Sequence, residues 1–358
     1  MFEQFRRTGM EFYGLDAAQY LTLPSFSWDA LLKLTNVKLE LISDPQMFLF
    51  FENNIRGGVS VCSHRYAKAN NVHVPDFDPN KDTSYLVYLD ANNLYGWAMS
   101  QALPLCDFKF LTDDEIQSIN FLQIADDAST GFVIECDLMY PEELHSTHND
   151  FPLAPENVLV TESMLSPFCK SFDQKHIDCR KLIPNLNDKH KYVLHYRNLK
   201  LYTSLGMKLE KIYRVASFSQ SPWMKKYIDF NTEKRKAARN DFEKNFFKLL
   251  NNSVYGKTME NVRNHIKVNL VSDPDKFLKM TAKPQIKHFK IINDDAVIVE
   301  RIKASVTMNK PIYTGFCILD LSKLHMYKLH YNVMIAKYRE RALLLYSCLL
   351  YTSDAADE

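Results

Sequence analysis

The chain has 358 residues, 46% apolar and 13% aromatic, which is enough for a large core and excludes a disordered protein. Basic (44) and acidic (43) residues nearly balance, and nine glycines argue against a glycine-rich nucleotide loop or a β-repeat fold. The seven cysteines lack paired spacing and no run of eighteen apolar residues occurs, so we expect an intracellular protein with reduced thiols and no membrane span.

Charge is distributed unevenly along the chain. Residues 107–162 contain thirteen acidic side chains and one basic side chain. Residues 186–214 contain seven basic and two acidic side chains, and residues 225–248 contain eight basic and four acidic ones. A basic face combined with an acidic segment is compatible with a polyanionic partner, although the average charge is near zero.

The first hundred residues contain a short helical pattern, a loop and one continuous apolar run. Residues 27–34 have the pattern of a capped short helix, and Arg56-Gly57-Gly58 indicates a loop. Residues 85–89 form a continuous apolar run, typical of a buried strand, which ends on Asp90. Residues 92–101 are predicted to form a short helix.

The remaining segments alternate between helical and strand-like patterns. Residues 106–185 are acidic and rich in proline, and we interpret them as a separate insertion of mixed structure. Residues 192–202 and 322–341 have helical spacing, and residues 232–254 give the strongest helical pattern. Short strand-like runs fill 257–310, and an apolar run beginning at residue 342 suits a strand.

An aspartate at the end of a buried strand is a candidate metal ligand. Phosphoryl transfer uses divalent ions held by carboxylates, and a rigid strand would present Asp90 at a sheet edge. Tyr95, one helical turn later, is positioned to lie under a sugar and block a 2′-hydroxyl. The alternative is an ordinary helix-capping aspartate after a core strand.

A second candidate site is a stripe of polar side chains spaced by four residues. Ammonium groups at this spacing suit a triphosphate, Tyr255 could stack on a base or sugar, and Gly256 could end the helix in the left-handed conformation. The alternative is a solvated basic face paired with nearby acids. An Asn-Ser pair near a helix end costs stability, which favours a functional role. The stripe consists of Lys236, Asn240, Lys244, Lys248 and Asn252.

These two segments carry a family resemblance. Residues 248–256 match motif B of the family B DNA polymerases, K-x-x-x-N-S-x-Y-G, at every fixed position. Residues 90–96 resemble motif A, D-x-x-S-L-Y-P, with Asn93 in place of serine and Gly96 in place of proline. The sequences of residues 89–100 and 192–199 are similar to those of the protein-primed branch, in particular to polymerases of Polinton/Maverick elements and related viruses.

The resemblance implies an α/β (α+β) fold: an incomplete right-hand polymerase with palm, fingers and insertions, lacking the exonuclease domain and the thumb. It assigns 1–84 to a connector with the Arg-Gly-Gly loop, 85–105 to a palm strand with motif A, and 106–190 to an acidic insertion of the kind that contacts a priming protein. It assigns 191–256 to fingers with motif B, 257–310 to a second insertion, and 311–347 to palm.

The resemblance also implies roles for individual residues and partners. Template-primer DNA, deoxynucleoside triphosphates and a terminal (priming) protein are the expected partners, and two Mg²⁺ ions are expected in the complete enzyme. The implied catalytic residues are Asp90, Tyr95 and Lys248, with Asp90 and the backbone of Ala91 on the metal. The implied nucleotide-binding residues are Lys236, Arg239, Lys244, Lys248, Asn252, Tyr255 and Gly256, and the implied DNA-binding residues are Arg56, Gly57 and Gly58.

The second catalytic carboxylate of the family is not found where motif C, Tyr-x-Asp-Thr-Asp-Ser, should follow residues 342–346. Residues 348–358 instead look like a translated sequencing adapter, and Asp354 and Asp357 have the wrong spacing for one tight hairpin. We therefore expect this polypeptide to be inactive and its parent to be an active polymerase. The alternatives are a non-catalytic nucleic-acid-binding module and a domesticated fragment of a mobile element.

Overall fold

The computed structural model describes residues 1–172 and 178–348, with Cys348 described by its backbone alone. Helices are combined with sheets in which every described ladder is antiparallel. Within the predicted mixed class, this arrangement is α+β. The chain forms two compact units: one holds Met1–Thr258 and the chain from Pro311 onward, and the other holds Met259–Lys310.

Several of the helices begin where the sequence supplies a capping side chain or a proline at the first turn. Asp44, for example, accepts a hydrogen bond from the backbone N–H of Gln46 ahead of Pro45. The helices are α1 (Phe2–Tyr13), α2 (Leu23–Thr35), α3 (Pro45–Glu52), α4 (Leu94–Met99), α5 (Asp113–Ser118), α6 (His145–His148), α7 (Pro167–Lys170), α8 (Tyr196–Ser204), α9 (Lys225–Lys236), α10 (Asp241–Thr258), α11 (Pro274–Thr281), α12 (Ile312–Tyr327) and α13 (Ala336–Tyr338).

The strands form one four-stranded sheet and three smaller ones. The large sheet has the order β2-β7-β3-β6, and β1 pairs with β11, β4 with β5, and β10 with both β8 and β9. The strands are β1 (Ser60–Cys62), β2 (Leu103–Phe110), β3 (Thr130–Met139), β4 (Glu156–Val160), β5 (Cys179–Ile183), β6 (Lys189–His195), β7 (Lys208–Ser221), β8 (Ile266–Val271), β9 (Ile286–Asn293), β10 (Ala296–Ile302) and β11 (Tyr346–Cys348).

Helix α12 is the centre of the first unit. Its sequence is apolar on nearly every side, and almost all of its residues are buried. It contacts α3, α4, α8 and α10 and the strands β2 and β6. The predicted helix over 322–341 therefore begins ten residues earlier, at Ile312, and it continues through a π-helical stretch, Lys328–Ile335. A helix enclosed in this way fixes the relative positions of the elements around it.

The prediction of a buried strand over 85–89 is wrong. These residues have no regular secondary structure, and all five side chains are more than half exposed. A strand exists only where a neighbouring backbone completes its hydrogen bonds, and the one bridge described here joins Asn70 to Ser84, just before the run. The Tyr88 ring nevertheless lies 6.4 Å from that of Tyr346, the first residue of β11.

The single helix predicted over 232–254 is also wrong. The chain forms α9 and α10, separated by residues 237–240. The Asn240 side chain accepts a 2.9 Å hydrogen bond from the Glu243 N–H, and the Glu243 carboxylate accepts one from the Arg239 N–H. Asparagine is a strong helix-capping residue, so it starts a new helix here.

The helical prediction for 192–202 is correct only in its second half. Strand β6 runs to His195, and α8 begins at Tyr196. The His195 side chain accepts a hydrogen bond from the Arg197 N–H and caps α8. The same residue therefore closes a buried strand and opens a helix, a change that apolar spacing does not reveal.

The second unit is a three-stranded sheet covered by α11. Its small core consists of Val271, Met280 and Val299. The predicted second insertion, 257–310, begins two residues before this unit and ends with it. Among the described residues, no helix has the length and apolar character to cross a membrane.

The other predicted boundaries stay predictions. The limit at 105/106 falls inside β2, and the limit at 190/191 falls inside β6, two strands of the same sheet. The acidic segment belongs to the first unit, and its assignment as an insertion stays a prediction. The adapter-like tail lies outside the described residues from position 349 onward.

Candidate functional site

Tyr95 and Tyr255 join helix α4 to helix α10. Their rings stack with centroids 4.8 Å apart at an interplanar angle of 29°. Both residues are nearly buried, and burial together with the nearby Tyr95 raises the pKa of Tyr255 well above its usual range. The fold therefore brings together two candidate residues that are far apart in the sequence, one from each motif.

Asn93 and Gly96 are packed against each other at the start of α4. Asn93 adopts the left-handed conformation, with φ 55° and ψ 48°, which asparagine tolerates better than most residues. A Cβ at position 96 would lie 2.0 Å from Nδ2 and 2.4 Å from Cγ of Asn93. The two departures from the motif A pattern therefore occupy one small region, where the asparagine head group requires a neighbour without a side chain.

Asp90 lies in the segment without regular secondary structure that precedes α4, and its side chain is exposed. Within residues 1–172 and 178–348, no group of three or more His, Cys, Asp or Glu side chains is arranged to hold a metal ion. Mg²⁺ requires near-octahedral oxygen ligands, and a two-ion site needs more than one carboxylate. Asp90 and Ala91 therefore do not by themselves fit a complete two-magnesium site.

The exposed face of α10 carries the predicted stripe in shortened form. Lys244, Lys248 and Asn252 follow one another at intervals of four residues, and all three are exposed. The broken helix leaves Lys236 at the end of α9 and Arg239 in the connection, both exposed. The structure thus groups three members of the stripe on one helix. Lys236 and the separate nucleotide-binding candidate Arg239 lie outside that helix.

The buried face of α10 is fixed to three other helices. The Asn231 Nδ2 of α9 donates a 2.8 Å hydrogen bond to Asn251 Oδ1 of α10, and the Asn231 Oδ1 accepts one from the Tyr13 hydroxyl of α1. The Ser253 hydroxyl donates to that of Ser27 in α2 at 2.9 Å. The contacts of Asn251 and Ser253 orient the lysine face, because rotation of α10 would break them.

Gly256 does not end its helix as predicted. Helix α10 continues to Thr258, and Gly256 is not among the described residues with positive φ. Its neighbours Val254 and Tyr255 are buried, so the helix is held by packing beyond the position where sequence alone would end it.

The Arg56-Gly57-Gly58 loop is held by its arginine. Arg56 Nη1 donates a 2.7 Å hydrogen bond to the Val193 carbonyl oxygen, and the guanidinium carbon lies 3.8 Å from the centroid of the Tyr192 ring. The arginine side chain is thus engaged with strand β6. Gly57 is exposed, and a Cβ there would meet nothing within 4 Å, so the glycine backbone is the part of the loop that is open to a ligand.

Lys323 contacts this loop and Asp320 pairs with Lys323, but both residues were missed by the sequence analysis. Both are buried in α12, and Lys323 Nζ donates a 2.9 Å hydrogen bond to the Arg56 carbonyl oxygen. The available signal was an acid and a base three residues apart in an otherwise apolar helix, since charges in such a setting are normally paired.

Comparison with known proteins gives one family. The model described as DNA polymerase type B, organellar and viral, matches residues 1–335. No curated protein matches the chain.

The chain is also similar to solved structures of Phi29 DNA polymerase. For the complex with primer-template DNA, the TM-score is 0.49 and the identity 13%, over 92% of this chain and 47% of that one. For the orthorhombic crystal form, the TM-score is 0.49 and the identity 14%, over 95% and 49%. For the ternary complex with DNA and incoming nucleotide, the TM-score is 0.48 and the identity 13%, over 94% and 53%. The chain spans about half the length of these matched proteins.

Proposed function

The chain belongs to the organellar and viral type B DNA polymerases, and on that premise we propose that it binds template-primer DNA and a deoxynucleoside triphosphate as part of a DNA-directed DNA polymerase. The parent enzyme transfers a nucleotide to a 3′-hydroxyl or to the hydroxyl of a priming protein. That oxygen forms a bond to the α-phosphorus, the bond from the α-phosphorus to the bridging oxygen breaks, and pyrophosphate leaves.

The observation that carries this proposal is the order of side chains along α10, where exposed polar residues are followed by a buried tyrosine. Lys244, Lys248 and Asn252 are exposed, whereas Tyr255, three residues further, is buried against Tyr95. Lys248 and Tyr255 are seven residues apart, and therefore about 10 Å apart along the axis on nearly the same side. An ammonium end and an aromatic end suit the triphosphate and the sugar with its base. Lys248 and Lys244 hold phosphates, with Lys236 and Arg239 assisting from the adjoining segment.

Tyr95 is the proposed selector against ribonucleotides. Its ring is fixed by the stack on Tyr255, and its helix is fixed by packing against α12. A ring held from two sides cannot move aside at low cost when a 2′-hydroxyl approaches. Asn252 and Gly256, beside Tyr255 on α10, position the incoming nucleotide.

Asp90 and the Ala91 carbonyl oxygen are the ligands that we propose for magnesium. In the complete enzyme, two ions would neutralise charge on the phosphates. The metal ligands among the described residues do not complete a two-ion site. We therefore propose that these two residues bind magnesium and assign them no step of the reaction.

The remaining partners follow from charge and exposure. The backbone of Gly57, which is open, and of the partly exposed Gly58 is the proposed contact with the DNA backbone, since N–H groups commonly bind phosphate oxygens. The acidic insertion 106–190 is the proposed surface for a priming protein, which would need basic side chains to match the acidic residues between 107 and 162. Protein-primed replication of a mobile element or virus is the context that we propose.

Binding of labelled template-primer DNA, followed by anisotropy at fixed ionic strength with Mg²⁺, tests the proposal. We expect the complementary deoxynucleotide to tighten DNA binding and a mismatched one to have less effect. Lys248→Ala should remove most of this tightening, about tenfold for one lost charged contact, and leave the binary affinity intact. Lys226→Ala, which removes an exposed lysine on α9, is the matched control and should behave like the wild type.

A second candidate is a nucleic-acid-binding module without chemistry, which is favoured by the incomplete donor set for metal. In that case all four deoxynucleotides would leave DNA affinity unchanged. The Lys248 and Lys226 variants would then lose similar amounts of affinity, because a purely electrostatic surface does not distinguish its lysines.

A further inference from the structure

A buried ion pair lies beneath the glycine loop. Asp320 and Lys323 are 4% and 2% exposed and are three residues apart on α12. Lys323 Nζ lies 3.4 Å from Asp320 Oδ1. Buried ion pairs contribute little net stability compared with apolar side chains of similar size, so the property that this pair can supply is orientation.

Lys323 orients the loop through two carbonyl groups. Its Nζ donates to the carbonyl oxygens of Arg56, at 2.9 Å, and Gly57, at 3.5 Å. Since a trans peptide unit is planar, a fixed carbonyl also fixes the N–H of the following residue, which points the opposite way. The N–H groups of Gly57 and Gly58 are therefore directed away from Lys323.

Asp320, the ion-pair partner of Lys323, connects Lys323 to the large sheet. Its Oδ2 accepts a 2.9 Å hydrogen bond from the His195 N–H, and its carbonyl oxygen accepts one of 2.9 Å from Asn198 Nδ2. Arg56, from the other side, donates to Val193 on β6, the strand that ends at His195. The loop is thus held between α12 and β6, with Lys323 the charged group that reaches its backbone.

We propose that Lys323 is a positioning residue that presents the Gly57 and Gly58 N–H groups to a phosphate of the DNA backbone. The proposal rests on the proposed function, since it assigns the loop a DNA contact. Lys323 itself does not touch DNA, because it is buried on the far side of the two peptide units.

The test compares three variants. Lys323→Met removes the carbonyl contacts but leaves Asp320 unpaired. The double variant Asp320→Asn/Lys323→Met removes both charges and keeps an amide oxygen for the His195 N–H, so it remains informative if the single variant fails to fold. Lys328→Met is the matched control, because it removes a lysine of equal charge five residues later, 3.5 Å from Asp126.

Two measurements are made on each protein: affinity for template-primer DNA, and amide hydrogen exchange in a peptide covering residues 53–60 with and without saturating DNA. We expect bound DNA to slow exchange at Gly57 and Gly58 in the wild type and much less in both Lys323 variants, which should bind DNA about tenfold more weakly. The Lys328 variant should exchange like the wild type and lose no more than about twofold in affinity.

Slowing of exchange by DNA that is equal in the wild type and in the Lys323 variants would overturn the positioning role. Absence of any slowing at Gly57 and Gly58 when the wild type binds DNA would overturn the link to phosphate. A wild-type chain that fails to bind the duplex would overturn the proposed function itself, and this is recognised without any variant of Lys323.

Discussion

Tyr95 and Tyr255 stack on each other at 4.8 Å across the contact between α4 and α10. Each ring fills space that would otherwise be a cavity next to a polar helix face. The pair therefore has two roles: it holds two helices together, and it forms the aromatic end of the proposed nucleotide site.

Removal of one ring should show the packing role. Tyr255→Ala should lower the free energy of unfolding by about 3–5 kcal/mol, because the site cannot collapse around the missing ring. Tyr255→Phe retains the stack and should cost less than about 1.5 kcal/mol. Urea unfolding followed by tryptophan fluorescence measures both. A similar loss in the two variants would contradict a role based on ring packing.

Gly96 and Asn93 should show coupled effects. Gly96→Ala places a Cβ where the Asn93 head group lies, and we expect a cost of about 1–3 kcal/mol from overpacking. Asn93→Ser alone should cost about 1 kcal/mol, because serine is less suited to the left-handed conformation.

The double variant Asn93→Ser/Gly96→Ala tests whether the two positions share space. Since serine leaves room for the new Cβ, the cost of Gly96→Ala should fall markedly in the Asn93→Ser background. Unfolding free energies of the four proteins give the coupling directly. Additive effects would show that the two positions do not share space.

Asn240 should be required for the break between α9 and α10. Asn240→Ala removes the acceptor of the Glu243 N–H and should destabilise the protein by about 1 kcal/mol. Asn245→Ala, at an exposed position inside α10, should instead stabilise it by a few tenths of a kcal/mol. Thermal unfolding of the two variants tests the difference, and equal shifts would argue against a capping role.

The fold should lose stability in mild acid. Burial, with help from His330 and His145, lowers the pKa of His148 to about 4, and burial lowers that of His195 to about 3. Their neutral forms stabilise the fold fully above the unfolded pKa near 6.5, and this contribution is lost as the pH falls from there toward the folded values.

Urea titrations between pH 7 and 4.5 measure this loss. The slope is at most about 1.4 kcal/mol per pH unit for each histidine. His148→Gln should reduce the slope, because it removes one of these two buried imidazoles. An identical slope in wild type and His148→Gln would contradict the assignment.

Primer extension tests the expectation that this polypeptide is inactive because it lacks a complete set of carboxylate ligands. Because the described residues do not complete a metal site around Asp90, we expect this polypeptide to give no measurable nucleotide incorporation with Mg²⁺, while it still binds template-primer DNA. Asp90→Ala should then leave DNA affinity unchanged. Robust extension by the purified chain would refute this prediction.

The sequence by itself determined the motifs and the chemistry of the candidate residues. Residues 248–256 carry a fixed pattern of side-chain types, and such patterns are local, so they can be read without a fold. Helical periodicity likewise located much of α10 and the later part of α12.

The tertiary structure alone decided which of these residues meet. It placed Tyr95 on Tyr255, separated Lys236 from Lys248 by a helix break, exposed residues 85–89, and placed Lys323 under the glycine loop. Strand formation and contacts between distant residues depend on partners supplied by other parts of the chain. Sequence periodicity reports only which face of an element is apolar, and not what covers that face.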